Sequence, residues 1–286
     1  MTVTWVDGFI ADEPSPSPSP LDPGLLVGDG LFETLAVYGG VPFALTEHVE
    51  RLESSMAALG FESLDRKHVS EGIAAVVARA GDSITGVGRL RITVWRTGRA
   101  LGGGGSSPMS MSVTLSAGSG PALGLVNTSE ATVLTSRFVR NERSALTGHK
   151  STSYAENAYA LREAVAVGAT EALLFNTSGD VAEGTMTNVV VDLGDGLVTP
   201  ALSSGCLPGV TRRLVLDWAA EAGLALREAE PGELTRGIVG KPIALLGTLR
   251  NVQQVSRWDG INLPHSEALL ELARVFAGNM HHALRA

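Results

Sequence analysis

Two side chains of this 286-residue chain stand out for the chemistry they could do, Lys150 and Glu183. Lys150 lies in Gly148-His149-Lys150-Ser151-Thr152-Ser153-Tyr154, among small and polar residues that could line a polar cavity. A lysine amine in a dry or cationic pocket loses its proton readily and becomes a nucleophile and base, able to form a Schiff base with an aldehyde. Glu183 opens Glu183-Gly184-Thr185-Met186-Thr187-Asn188, after the turn Asn176-Thr177-Ser178-Gly179-Asp180. A carboxylate is the group that keeps a pyridine nitrogen protonated. Each residue also has a plain reading, Lys150 as a solvated surface charge and Glu183 as an edge-strand carboxylate facing water. Asn188, five residues beyond Glu183, falls on the opposite face of a continuous strand.

Three further segments could hold a phosphate. Leu207-Pro208-Gly209-Val210-Thr211 places a glycine and a hydroxyl residue at a helix start, where backbone donors and the helix dipole favour an anion. Ordinary capping by Thr211 would use the same geometry. Arg51, in His48-Val49-Glu50-Arg51-Leu52, is suited to grip a phosphate through two donors, or to pair with Glu47 one turn earlier. Thr248 in Gly247-Thr248-Leu249-Arg250 could donate to the same group. An amine, a carboxylate and a phosphate cup together match the needs of pyridoxal phosphate. Gly28-Asp29-Gly30 lacks the third glycine of a dinucleotide fingerprint, and Gly148-His149-Lys150-Ser151 lacks the glycine pattern of a phosphate loop. The histidines show no metal-ligand spacing, and the single cysteine, Cys206, permits neither an intrachain disulfide nor a cysteine metal cluster.

These residues need elements to position them. Residues 2–11 read as a strand, followed by the alternating Pro-Ser run 14–20, a stiff extended loop. Leu31–Tyr38 alternates as a strand and turns at Gly39-Gly40 into 41–44. Thr46 is the expected N-cap of a helix whose Val49, Leu52, Met56 and Leu59 share one face. A second helix is expected over 66–80, and strands over 89–96 and 109–117, separated by the glycine-serine loop 102–107. Gly118-Ser119-Gly120-Pro121 is the expected linker. Beyond it come strands at about 131–136, 171–176, 181–192 and 196–199, a helix over 154–167, another from Thr211, and a last over 265–285. The expected class is mixed α/β (α+β) with two domains, 1–119 and 120–286. A formal charge of −8 argues against non-specific nucleic-acid binding. The absence of a basic leader or a long apolar run makes cytoplasmic the default location, with no membrane segment expected.

Taken together and in this order, the motifs resemble the fold-type-IV pyridoxal phosphate enzymes, or class IV aminotransferases. These include branched-chain and D-amino acid aminotransferases and 4-amino-4-deoxychorismate lyases. The resemblance spans nearly the whole chain, from Gly28-Asp29-Gly30-Leu31-Phe32-Glu33-Thr34 through Glu47–Leu52, Lys150 and Glu183–Asn188 to Pro208–Arg212. It implies a smaller N-terminal α/β domain and a larger C-terminal pseudo-barrel domain, with pyridoxal 5'-phosphate between them, in homodimers whose sites are shared. Lys150 would be the Schiff-base lysine and proton shuttle, and Glu183 the partner of the pyridine nitrogen. Arg51, Val210, Thr211 and Thr248 would bind the phosphate, and Tyr154 would meet the ring hydroxyl. Arg96, assisted by Arg99, would meet a substrate carboxylate, with Phe32 and Arg143 also lining the substrate. The stretches Arg140–Ser144 and Tyr154–Asn157 resemble lyase members, which implies release of pyruvate and 4-aminobenzoate from aminodeoxychorismate. The alternative is amino-group transfer from a D-amino acid, a branched-chain amino acid or an (R)-amine to a 2-oxo acid. A non-catalytic relative would not be expected to keep Lys150, Glu183, Arg51 and Thr211 together.

Overall fold

The structure, a computed structural model, describes residues 1–10, 18–98 and 108–284. Arg99, residues 14–17 of the Pro-Ser run and the loop 102–107 lie outside the described residues. The chain divides into two compact units. The first comprises Met1–Ala122, His149–Tyr154 and Ala283–Ala286; the second comprises Leu123–Gly148 and Ala155–His282. The short segment carrying Lys150 thus packs with the N-terminal residues. The mixed helix-and-sheet class is the one the sequence implied.

In the first unit the strand expected over 2–11 is a hairpin, β1 (Thr2–Val6) and β2 (Phe9–Ile10). Asp7 and Gly8, with φ of 43° and 100°, make the tight turn that an Asp-Gly pair favours. A short helix, α1 (Pro23–Leu26), leads into β3 (Gly30–Tyr38), which turns at the two glycines into β4 (Val41–Pro42). Two helices follow, α2 (Leu45–Ala58) and α3 (Arg66–Ala80). Then come β5 (Val87–Arg96) and β6 (Met109–Ala117). Thr46 is not the N-cap of α2. Ala44 is, in a left-handed conformation with φ 52°, and its own backbone groups are satisfied by Ala283 C=O and His48 N–H. Asp65 caps α3 through the backbone N–H groups of Lys67 and His68.

The six strands form one antiparallel sheet in the order β2-β1-β6-β5-β3-β4. Its two faces differ because side chains alternate along each strand. Leu31, Leu35, Leu90, Ile92, Val94 and Val113 point to one face and pack on Leu52, Met56, Ile73 and Val76 of α2 and α3. Each fully buried aliphatic side chain there contributes about 1.5–3 kcal/mol. Out of phase with them, Thr34, Arg91, Thr93, Ser112 and Thr114 share the other face and are only half-buried. One face is therefore core, and the other carries these polar residues beside the buried Phe32, Ala36 and Tyr38.

The second unit begins with the long β7 (Asn127–Arg140), helix α4 (Ala155–Ala166), β8 (Glu171–Asn176) and β9 (Val181–Gly184). Next come β10 (Asn188–Asp192), β11 (Leu197–Thr199), α5 (Val210–Glu221) and β12 (Leu226–Glu228). Last are β13 (Ile243–Gly247), β14 (Asn251–Trp258), β15 (Ile261–Asn262) and α6 (Glu267–Asn279). The nine strands make a second sheet in the order β12-β11-β10-β13-β14-β7-β8-β9, with β15 paired to β14. β7 runs parallel to both β8 and β14. The strand expected over 181–192 is broken at 185–187, where the chain bends between β9 and β10. The final helix is shorter than expected and ends in a single 3₁₀ turn at Met280–Ala283. No helix among the described residues is long and apolar enough to cross a membrane.

Candidate active site

Lys150 is placed by a few backbone bonds. Leu31 and Ser151 form an antiparallel bridge. Phe32 N–H donates to Lys150 C=O at 2.9 Å and Thr152 N–H donates to Gly30 C=O at 2.8 Å. Residues 150–152 thus lengthen the first sheet along the start of β3, with Lys150 opposite Phe32. Residues opposite each other point to the same face, so the lysine projects over the face that carries Phe32. Its Nζ lies 4.6 Å from the centre of the Phe32 ring and 5.6 Å from that of Tyr154, and the two rings meet edge to face at 5.4 Å. The glycines of Gly28-Asp29-Gly30 serve this approach. Thr152 Oγ1 donates to Gly28 C=O, and a Cβ on Gly28 would come within 2.6 Å of Ser153 Oγ. The stretch that failed as a dinucleotide fingerprint is the seat of the lysine segment. His149, beside Lys150, meets Ser55 of α2 at 3.1 Å.

Arg51 projects from α2 to Glu33, a carboxylate on the core side of β3. The Arg51 guanidinium donates to both oxygens, at 2.8 Å and 2.6 Å, and His48 Nδ1 meets Glu33 Oε2 at 2.7 Å. Burial opposes ionisation of Glu33, but Arg51 and His48 outweigh it and hold the carboxyl at about 2. Burial pushes the His48 pKa below its ordinary value against the pull of Glu33, with Arg51 and Lys150 adding to the depression. His48 Nε2 is buried without a hydrogen-bond partner, which fits a neutral ring whose proton sits on Nδ1 facing Glu33. Arg96 is occupied differently from the sequence expectation. Its guanidinium meets Asp29 at 3.2 Å, donates to Leu59 and Gly60 carbonyls at 2.9 Å and 2.8 Å, and stacks on Phe61.

Glu183 anchors a second group of residues. Its carboxylate accepts from Leu207 N–H at 2.8 Å and pairs with Arg140 at 3.1 Å. Arg140 also donates to Asn157 of α4. Asn188 donates to the Leu207 carbonyl at 2.9 Å, so Glu183 and Asn188 hold the two backbone groups of one residue. Strand parity had separated them; the bend at 185–187 removes that parity. The bend itself wraps a buried carboxylate. Glu171, at the start of β8, accepts from Thr185 N–H at 3.0 Å, from Met186 N–H and Thr187 Oγ1 at 3.3 Å and 3.2 Å, and from the Thr185 hydroxyl. Sequence reading missed Glu171 and the Arg140–Glu183 pair. A glutamate opening a run as apolar as Ala172-Leu173-Leu174-Phe175 was the available signal for the first.

Leu207 leads directly into α5. The helix is capped by Gly209, without a side-chain cap bond, and Thr211 lies inside its first turn. Thr211 therefore does not cap the helix, which removes the plain alternative for this residue. The first backbone N–H groups of a helix have no acceptor within it, and those of Val210 and Thr211 belong to this set. Both residues are buried. A Cβ on Gly209 would fall 1.9 Å from Asn188 Oδ1, so a larger residue here must displace the asparagine side chain. Thr248 begins the half-buried turn between β13 and β14. Arg143 is exposed, in the turn that follows β7. By chemistry each group suits a part of pyridoxal phosphate: in the first unit an amine against two aromatic rings, and in the second a buried carboxylate paired with a cation and a helix start without a side-chain cap. Cys206, beside Leu207, is buried, and burial with Glu183 nearby pushes its thiol up to about 11.

Known proteins give this arrangement a family. Residues 30–258 match the model of the amino-transferase class IV family. The chain is 32% identical over 223 residues to an aminodeoxychorismate lyase of Bacillus subtilis, covering 78% of this chain and 75% of the relative. It is 28% identical over 260 residues to a putative branched-chain-amino-acid aminotransferase of Methanocaldococcus jannaschii, covering 90% and 88%. In fold it resembles the crystal structure of a branched-chain aminotransferase from Thermoproteus uzoniensis, with a TM-score of 0.85 at 23% identity, covering 98% of this chain and 95% of the other. The chain belongs to the class IV aminotransferase family of pyridoxal phosphate enzymes.

Proposed function

We propose that the protein is an aminodeoxychorismate lyase that releases pyruvate and 4-aminobenzoate. The observation that carries the choice of reaction is the 32% identity to the Bacillus subtilis lyase across three quarters of both chains. When bound, pyridoxal phosphate supplies the aldehyde carbon and the pyridine ring that takes up an electron pair. Lys150 Nζ would hold the group at that carbon, and its amine would take the proton from the carbon bearing the substrate's amino group. Glu183, paired with Arg140, would meet the pyridine nitrogen. Arg51, Thr248 and the first turn of α5 at Val210 and Thr211 would hold the phosphate. Tyr154 would meet the ring hydroxyl, and Phe32 would line the substrate side. In this reading residues 1–119 form the N-terminal domain and 120–286 the cofactor-binding domain. The enzyme acts in the cytoplasm as a homodimer; the exposed Leu25, Leu26 and Val27 after the Pro-Ser run offer apolar surface for a second copy.

A second reading, amino-group transfer to a 2-oxo acid, is supported by the similarity to the Methanocaldococcus jannaschii protein over 90% of the chain. The first proton abstraction is common to both, so turnover separates them. The holoenzyme is expected to release pyruvate from aminodeoxychorismate with no 2-oxo acid present, and Lys150→Ala to lose both that activity and the visible absorbance of lysine-bound cofactor. Keto-acid formation from D-alanine or L-leucine that requires an acceptor, without pyruvate release from aminodeoxychorismate, would instead establish the transferase.

A further inference from the structure

Behind Glu183 runs a chain of buried polar side chains within the second unit. One Arg140 nitrogen, Nη2, serves two acceptors, Glu183 Oε1 at 3.1 Å and Asn157 Oδ1 at 3.2 Å. The Asn157 amide nitrogen in turn donates to the Thr185 carbonyl at 2.8 Å. That carbonyl belongs to the peptide unit whose N–H, on Met186, donates to Glu171 Oε2 at 3.3 Å. The two groups of a trans peptide point in opposite directions, so Asn157 and Glu171 hold one peptide plane from its two edges. Glu171 also accepts from the Thr185 N–H at 3.0 Å and from the Thr185 hydroxyl. Glu171, Thr185 and Asn157 are 0%, 1% and 5% exposed, which leaves little surface for water to replace a lost bond.

Packing alone does not call for these groups. Helix α4 already docks on β8 through Ala160 and Ala164 against Ala172 and Leu174. Asn157 lies on the same helix face, one turn earlier, where an apolar residue of its size would extend the contact. Buried polar networks are seldom more stable than apolar packing of equal volume. What this position requires is one acceptor for a guanidinium and one donor for a carbonyl, which a side-chain amide supplies in a single orientation. Elsewhere the Arg140 guanidinium is loosely held: its Nε is buried without a hydrogen-bond partner, and Nη1 faces the exposed Glu156 at 3.6 Å. We propose that Asn157 is a positioning residue for Glu183. It turns Arg140 so that Nη2 faces the Glu183 carboxylate, and Glu171 anchors it by fixing the Thr185 carbonyl. The consequence for the cofactor rests on the reading in which Glu183 meets the pyridine nitrogen.

The test has two arms. In the full chain without cofactor, amide hydrogen exchange is read at Leu207, whose N–H donates to Glu183 at 2.8 Å, and at Leu245, fully buried in β13. Asn157→Leu is expected to raise exchange at Leu207 about tenfold or more relative to Leu245, because it frees Arg140 and with it Glu183, whereas a general loss of stability raises both. Asn157→Ala is measured beside it in case leucine does not fit. In the second arm pyridoxal phosphate is titrated into the wild type, Asn157→Leu, Glu183→Gln and the double variant. Asn157→Leu is expected to weaken binding about tenfold by itself, and by no more than about twofold once Glu183 is replaced, since a residue that acts through Glu183 then has nothing left to position. An unchanged Leu207-to-Leu245 ratio in both Asn157 variants, or binding losses that add in full, overturns the proposal. A wild type that takes up no pyridoxal phosphate would sink the cofactor reading, and the exchange ratio would still decide whether Asn157 positions Glu183.

Discussion

Glu33 shows how much one side chain can determine at the residue scale. It is in phase with Leu31, Leu35 and Val37, so the strand that buries them buries a charge as well. A buried carboxylate requires cationic donors, and Arg51 and His48, three residues apart on α2, provide them. The same contacts fix the direction of the Arg51 guanidinium proposed to hold phosphate. Glu33→Gln would remove the buried carboxylate that both Arg51 and His48 meet. It is expected to destabilise the protein by about 3 kcal/mol in a urea titration. Glu33→Leu combined with Arg51→Met removes both charges, and is expected to recover most of that stability while abolishing cofactor retention on dialysis. If the double variant is no more stable than Glu33→Gln, the buried pair is not what stabilises this strand. The signal was present in the sequence, since an acid in the apolar phase of a strand cannot be left facing a hydrocarbon core.

At the scale of elements, the loop between β10 and α5 is held from both sides. Asn188 at the start of β10 grips Leu207, and Gly209 lets α5 begin directly against the Asn188 side chain. Gly209→Ala needs no backbone change, because its φ of −65° is open to alanine. Its Cβ must displace Asn188, and overpacking of this kind costs about 1–3 kcal/mol. Asn188→Ala makes room, so the two substitutions together are expected to cost less than the sum of the singles, measured as a double-mutant cycle in urea. Strict additivity would show that the two side chains do not compete for the same space. This contact was not legible from periodicity, which treated 181–192 as one strand and placed Asn188 on the wrong face. Elements whose two sides differ were legible: β3 and β5 alternate because one face is core and the other carries polar residues, and α3 was read end to end. The hairpin of β13 and β14 was not, because Ile243-Ala244-Leu245-Leu246 is buried on both faces and does not alternate. The parallel pairing of β7 with β8 and β14 joins segments far apart in the chain, and no local pattern encodes it. Lys150, Glu183 and Arg51 were singled out as types, but Glu33 beside Arg51 and Arg140 beside Glu183 come from other elements and appear only once the sheets are formed.

For the whole molecule, the Glu33 cluster couples stability to pH. His48 is neutral in the fold with a pKa below 6.5, so under acid the unfolded chain takes up a proton that the folded chain refuses. Its contribution is complete above pH 6.5 and declines as the pH falls below that value. Glu33 stays ionised in the fold down to about 2, against 4.5 when unfolded. Its contribution is complete above pH 4.5 and is lost as the pH falls from 4.5 towards 2. Both effects have the same sign, so stability against urea is expected to decline in two stages on acidification, first below pH 6.5 and again below pH 4.5. His48→Gln keeps a donor for Glu33 and removes the titration. It is expected to flatten the curve between pH 6.5 and 4.5 and to leave the steep fall below pH 4.5 in place. Equal slopes for wild type and His48→Gln across the upper window would mean that His48 takes up its proton as readily in the fold as in the unfolded chain. The neutral ring facing Glu33 would then be the wrong protonation state for this cluster.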